Sequence, residues 1–160
     1  MKDDLNFRCF VRCISNLLTT EQVQKMRQWR HHFDVTCYDH SIFVSYVAFR
    51  LARRWRLDYV AAARAGLLHD LYLYDPHDKS AHPGNQCLDH PRFALRNAQS
   101  LVALTPAEEN CIISHMWPLS PRMPRCKLAI VVNLADKICA TLEVSRIYNV
   151  MQVRRVMNFA

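Results

Sequence analysis

Apolar residues in this chain recur at three- and four-residue steps through most of its length, the periodicity of helices that bury one stripe. Between Leu5 and Leu18 that stripe is Phe7, Phe10, Val11, Ile14, Leu17 and Leu18. Thr19 or Thr20 then offers a cap for a second helix running to about Trp29. From Asp39 to Trp55 the inward set is His40, Phe43, Val44, Val47, Ala48, Leu51 and Trp55, so a histidine heads a core-facing stripe. Asp58 can cap the next helix, which runs through Ala61, Ala62, Ala65 and Leu68 and ends at the pair His69-Asp70. Breakers then accumulate in Tyr74-Asp75-Pro76-His77 and Ala81-His82-Pro83-Gly84-Asn85, which predicts a long loop of the kind that often carries function in compact domains.

Downstream, Pro91 fits an early position of a helix containing Ala94, Leu95 and Ala98, which places His90 at the mouth of that helix. Thr105-Pro106-Ala107-Glu108 has the form of a capping box with proline in the first turn, and the helix it opens ends near His115. Pro124 opens another, through Leu128, Ile130, Val131, Leu134, Ala135 and Ile138, with Asp136 inside it. A last helix is expected from about Ile147 to Met157. No repeat, low-complexity tract or linker divides the 160 residues. The fold class expected is all-α, a compact single-domain helical bundle over residues 1–160.

Composition agrees with that reading and narrows the partners. Only two glycines leave few places for hairpin turns. Seven cysteines without a C-x-x-C pair argue against a zinc ribbon or a thioredoxin-like motif, and the odd number suits a reducing cytoplasm. Cys111 and Cys139 fall in apolar helical stretches and read as small core hydrophobes. Met1-Lys2-Asp3-Asp4 is acidic where a signal peptide would be basic, and no apolar run approaches the roughly 20 residues that span a bilayer. The expectation is a soluble cytoplasmic protein without a membrane partner.

A formal net charge of +7 favours anionic ligands. Arg50, Arg53, Arg54 and Arg56 cluster around Trp55, but no aromatic platform or nucleic-acid module accompanies them, so they read as a solvated helix face. Nucleic acid is not an expected partner. Homo-oligomerisation stays open, since the apolar terminal helices could pair with a second copy as readily as cap the core.

The chemistry lies in six residues that the helices must bring together: His40, His69, Asp70, His90, His115 and Asp136. Imidazole and carboxylate suit first-row divalent metals. Six protein ligands shared between two ions would leave coordination positions for water and substrate, and a carboxylate is the ligand type here that readily bridges two metals.

In order and context, His40, His69-Asp70 and Asp136 resemble the H…HD…D signature of the HD-domain metal-dependent phosphohydrolases. Ala65-Gly66-Leu67-Leu68 precedes the His-Asp pair, and Leu134-Ala135-Asp136-Lys137 lies inside a later helix. The resemblance covers about residues 35–143, with the N- and C-terminal helices packed on that core. His90 and His115 fall where dinuclear members, such as bacterial diadenosine tetraphosphate hydrolases, carry two further histidines. The resemblance therefore implies one metal on His40, His69, Asp70 and Asp136, a second on Asp70, His90 and His115, and Asp70 as the bridge. Iron or manganese is the leading choice, with cobalt, zinc and magnesium as alternatives. Departures matter too. The Gly-Tyr-Pro of the cyclic-di-GMP branch is absent, which disfavours that substrate. Leu73 stands where mononuclear nucleotidases often place an acid, with Asp75 the nearest substitute.

The activity expected is hydrolysis of a phosphate ester or anhydride of a nucleotide or other small phosphorylated metabolite, by in-line attack of hydroxide generated at the metals. Asp70 and Lys137 take the catalytic roles. Adjacent helical residues point about 100° apart, so Lys137 either reaches a substrate phosphate from the rim or faces solvent. Trp117 either stacks on a base or packs on the core. Tyr72 and Tyr74 are placed to donate to phosphate or to orient ligands. His32 lies close enough to His40 to line the site, whereas His31, His77 and His82 read as loop or surface residues. The alternative function is a metal-containing domain that senses a phosphorylated ligand without turning it over.

Overall fold

A computed structural model of the chain describes residues 2–32, 35–76, 78, 80 and 84–145. Helices α1 (Lys2–Leu18), α2 (Glu21–Lys25), α3 (Cys37–Arg54), α4 (Tyr59–Leu68), α5 (Gln86–Leu101), α6 (Pro106–Ser114) and α7 (Lys127–Val144) make up an all-α molecule. The exception is a ribbon of two very short strands, β1 (Arg30–His32) and β2 (Val35–Thr36), paired antiparallel just before α3. None of the described helices is long and apolar enough to cross a membrane.

The central pair is α3 and α4, and core lies on both sides of it. On one side Phe10, Ile14 and Leu17 of α1 pack with Tyr38, Ile42 and Phe49 of α3 and with Leu67 and Leu68 of α4. On the other, Val44 and Ala48 of α3 and Ala61, Ala62 and Ala65 of α4 meet Cys111 of α6 and Val131, Val132, Ala135 and Cys139 of α7. The run of small residues in α4 lets the two backbones approach closely. A Cβ added at Gly66 would lie 2.8 Å from Ser45 Cα, and Ser45 Oγ donates a 2.6 Å hydrogen bond to the Ala63 carbonyl.

Caps explain most helix starts. Thr36 and Asp39 form a capping box at α3, Asp58 accepts from the amides of Val60 and Ala61 at α4, and Thr105 and Glu108 form the expected box at α6. Glu108 also accepts from Arg64 Nε at 2.6 Å, which ties the start of α6 to α4.

Several boundaries differ from expectation for identifiable reasons. The second helix stops at Lys25, passes through a 3-10 turn at Met26–Gln28 and gives way to the ribbon; the Thr20 hydroxyl does not cap it but donates to the Leu17 carbonyl. Helix α5 begins at Gln86, capped by Asn85, so Pro91 lies inside the helix and His90 sits in its second turn rather than at its mouth. Helix α7 begins at Lys127 instead of Pro124, because the Arg125 amide donates to Asn110 Oδ1 and holds the approach extended against α6. Trp55, assigned to the α3 core stripe, is half exposed beyond the end of that helix. The four neighbouring arginines are exposed, as a solvated face requires, and Arg53 reaches Asn6 Oδ1 of α1. The helix expected at 147–157 and the residues His77 and His82 lie outside the described residues.

Candidate metal centre

Three histidines are aimed by one local device. His69 and His115 occupy the C-caps of α4 and α6, and each Nδ1 reaches the carbonyl three residues back in its own helix: Gly66 at 2.8 Å and Ile112 at 2.7 Å. In α5, His90 Nδ1 reaches the Gln86 carbonyl at 2.7 Å. A carbonyl only accepts, so these contacts place the proton on Nδ1 and leave each Nε2 lone pair directed inward, the tautomer a metal needs.

Those Nε2 atoms converge on Asp70, which follows α4 directly. Its Oδ1 lies 3.2 Å from His90 Nε2 and 3.4 Å from His115 Nε2, while its Oδ2 lies 3.5 Å from His69 Nε2. The two oxygens of one carboxylate thus face different imidazoles, Oδ1 toward His90 and His115 and Oδ2 toward His69. On the Oδ2 side Asp136 of α7 adds its Oδ1, 3.2 Å from His40 Nε2 and 3.8 Å from His69 Nε2. All six residues singled out in the sequence are brought together, and all are buried.

Two buried side-chain atoms at the centre of this cluster, His69 Nε2 and Asp70 Oδ1, have no hydrogen-bond partner among the described residues. Orphaned buried polar atoms are rare and costly. A divalent ion supplies what both lack, and the donor atoms of His40, His69 and Asp136, and of His69, Asp70 and His115, lie close enough together to hold one. The residues fit a metal.

Electrostatics point the same way. Burial alone would raise Asp70, but the surrounding His69, His115 and His90 hold it well below the usual carboxylate range. Asp136 is likewise held low against its burial by His40 and His69. Burial drives His69 down to about 4, keeping it neutral. For His40, burial is outweighed by Asp136 and by a second carboxylate, and the imidazole is pushed up to about 10.

That second carboxylate is Glu143, a residue sequence reasoning missed. It is buried, and its oxygens lie 2.9 and 3.0 Å from His40 Nδ1, so a carboxylate fixes this ring as backbone carbonyls fix the others. The signal was available: Glu143 follows Asp136 by two helical turns and shares its face.

His31 is the other omission. Assigned to the surface, it stacks on His40 with ring centroids 4.2 Å apart, and its Nδ1 lies 3.8 Å from Asp70 Oδ2. His32, expected to line the site, is the next residue of β1, and its side chain lies outside the described residues. No regular alternation in the sequence places His31: the ribbon's register shifts between Arg30 and His32.

An open cavity of about 410 Å³ reaches the cluster, lined by His31, Asp70, Tyr72, His90, His115, Asp136 and Lys137 with apolar walls from Pro76, Met116, Leu119 and Ala140. Lys137 stands at its rim, donating to Asp136 Oδ2 at 2.9 Å and to the His115 carbonyl at 2.8 Å. Tyr72 lines the cavity but is buried against His90. Tyr74 turns away, donating to Gln86 Oε1 at 2.6 Å and packing on Phe93. Trp117 is partly exposed, with Met116 and Leu119 taking the wall positions on either side of it.

Comparison with curated proteins and with solved structures gives no match. The family model described as HD domain does match, over residues 37–141, a span that opens with α3, closes within α7 and holds the six convergent residues. The chain belongs to the HD-domain family.

Proposed function

We propose that this protein is a metal-dependent phosphohydrolase that cleaves a phosphate ester or anhydride of a nucleotide or another small phosphorylated metabolite. The observation that carries the reading is Asp70, whose two oxygens face different imidazoles, His69 on one side and His90 with His115 on the other. That arrangement suits two divalent ions, with iron or manganese the leading choice: one on His40, His69, Asp70 and Asp136, the other on Asp70, His90 and His115. Such ions supply Lewis acidity toward phosphoryl oxygens and hydroxide near neutral pH.

The chain's own groups do the rest. Lys137 has three donors, and the two engaged by Asp136 and the His115 carbonyl hold its ammonium at the rim, where the third can take a phosphoryl oxygen. Met116, Leu119 and Ala140 give the leaving group an apolar wall. A cavity of about 410 Å³ suits a single nucleotide-sized ligand. The dinuclear site is the feature shared with the diadenosine tetraphosphate hydrolases, and that substrate belongs in the first panel.

The test is metal analysis after anaerobic purification, followed by nucleotides, dinucleoside polyphosphates and phosphomonoesters with added Mn(II) or Fe(II). Hydrolysis that disappears in Asp70→Ala is expected. Less than half an equivalent of metal, with no stabilisation by added ions, would refute the proposal.

A further inference from the structure

We infer that His31 is an additional metal ligand, closing from the solvent side the position formed by His40, His69, Asp70 and Asp136. The inference rests on the dinuclear reading above and extends the ligand set beyond the six residues of that reading.

Placement comes first. His31 belongs to β1, which pairs with β2 through Arg30–Thr36 and His32–Val35; the Cys37 amide donates to the Trp29 carbonyl at 2.9 Å, and Thr36 caps α3. The ribbon, whose register shifts between Arg30 and His32, and its bond to the start of α3 thus set His31 relative to His40, three residues into that helix. A histidine serving only the surface needs no such fixture.

Distance comes second. At 3.8 Å, His31 Nδ1 and Asp70 Oδ2 are beyond hydrogen-bonding range. Two donors on one ion, each about 2.0–2.2 Å from it, stand at most about 4.4 Å apart, so the separation is right for a shared cation. Ligand atoms of His31, His40 and Asp70 all lie within 4.8 Å of one another.

Exposure separates His31 from the other ligands. Its side chain is 20% exposed and lines the cavity, whereas those of His69 and His40 behind it are fully buried. With His31 included, one position has His31, His40, His69, Asp70 and Asp136, and the other only Asp70, His90 and His115. The better-furnished position holds its ion closed, and the position with fewer protein donors is left to receive the phosphoryl group.

Cobalt(II) titration tests this without relying on turnover. The background is His90→Ala, which empties the second position, and His31→Gln and His31→Cys are compared within it. The expected result is cobalt affinity at least about 10-fold weaker in His31→Gln, by chelator competition. The thiolate of His31→Cys should restore binding and add a sulfur-to-cobalt charge-transfer band in the near ultraviolet. In the cobalt-loaded wild type, ring protons of His31 should be contact-shifted along with those of His40, His69, His90 and His115, a readout independent of any variant's folding. His31 variants that bind like their parent without the new band, or an unshifted His31 ring in the wild type, would overturn this inference alone. Wild-type protein that takes up no cobalt would overturn the dinuclear reading with it.

Discussion

His90 Nε2 and His115 Nε2 face each other at 2.7 Å, although each ring directs its Nδ1–H to a carbonyl of its own helix. Two lone pairs at that distance, with Asp70 Oδ1 beside both, call for a cation that they share, either a proton between them or a metal ion bound by both from one side. A proton can play that part: burial alone would lower His90, but its contact with Asp70 raises it. A divalent ion does so without competing for the Nδ1 protons. His115→Gln should therefore lose about one metal equivalent by elemental analysis. Its activity should fall by more than the ~10–100-fold typical of removing an outer-shell partner. Retention of both equivalents would place the second ion elsewhere.

Glu143 should behave as a positioning residue for His40. In Glu143→Gln a carbonyl oxygen can still accept from Nδ1, but the negative charge is gone. Metal affinity is expected to drop about 10–100-fold with little change in fold by circular dichroism. Glu143→Leu leaves the ring nitrogen without a partner and should also cost about 1–3 kcal/mol in urea melts. Equal metal affinity in wild type and Glu143→Gln would reduce the residue to packing.

The chelator-stripped protein should be most stable near pH 6.5. His40 is raised from 6.5 to about 10, so its contribution is complete below 6.5 and is lost as pH climbs toward 10. His69 is lowered from 6.5 to about 4, so between those values the unfolded chain binds a proton that the folded one refuses, and stability falls with falling pH. Asp70 and Asp136, both held low, add to the acid-side loss. Urea melts across pH 4–10 check the two limbs, and a stability that keeps rising above pH 7 would contradict the alkaline one.

Gly66→Ala tests the close approach of α3 and α4. The new methyl would meet backbone, Ser45 Cα at 2.8 Å, rather than a side chain that could swing aside. A loss of about 1–3 kcal/mol is expected. Because His40 and His69 ride on the two helices forced apart, metal affinity should weaken as well. An unchanged melting temperature would mean the helices separate freely.

Lys137→Met should raise KM for phosphorylated substrates while leaving metal content intact, since its ammonium contacts Asp136 and a carbonyl but offers no lone pair to an ion. Loss of metal in this variant would show instead that Lys137 holds Asp136 in place.

The convergent residues are legible in the sequence where a strong local pattern leaves a polar residue conspicuous. His40 interrupts an apolar stripe, and His69-Asp70 stands where a helix breaks. His115 lies one helix length after a capping box. The ribbon was not legible: strands of three and two residues are too short for period-two alternation to register, and His31 could not be placed without it. The start of α5 lies five residues before Pro91, because the Asn85 side chain caps the helix by accepting from the Cys87 amide. Glu143 lies two helical turns after Asp136 on the same face, but a lone acid near the end of an apolar helix carries no motif that marks it as the partner of His40.

The contacts His69–Gly66 and His115–Ile112 lie within the final turns of α4 and α6. Fraying of either turn would release the imidazole and scramble its tautomer in the same motion. With the ligand set proposed above, escape of a bound ion would be tied to the opening of a helix end, and the lifetime of the metal would measure how tightly two short helices stay wound.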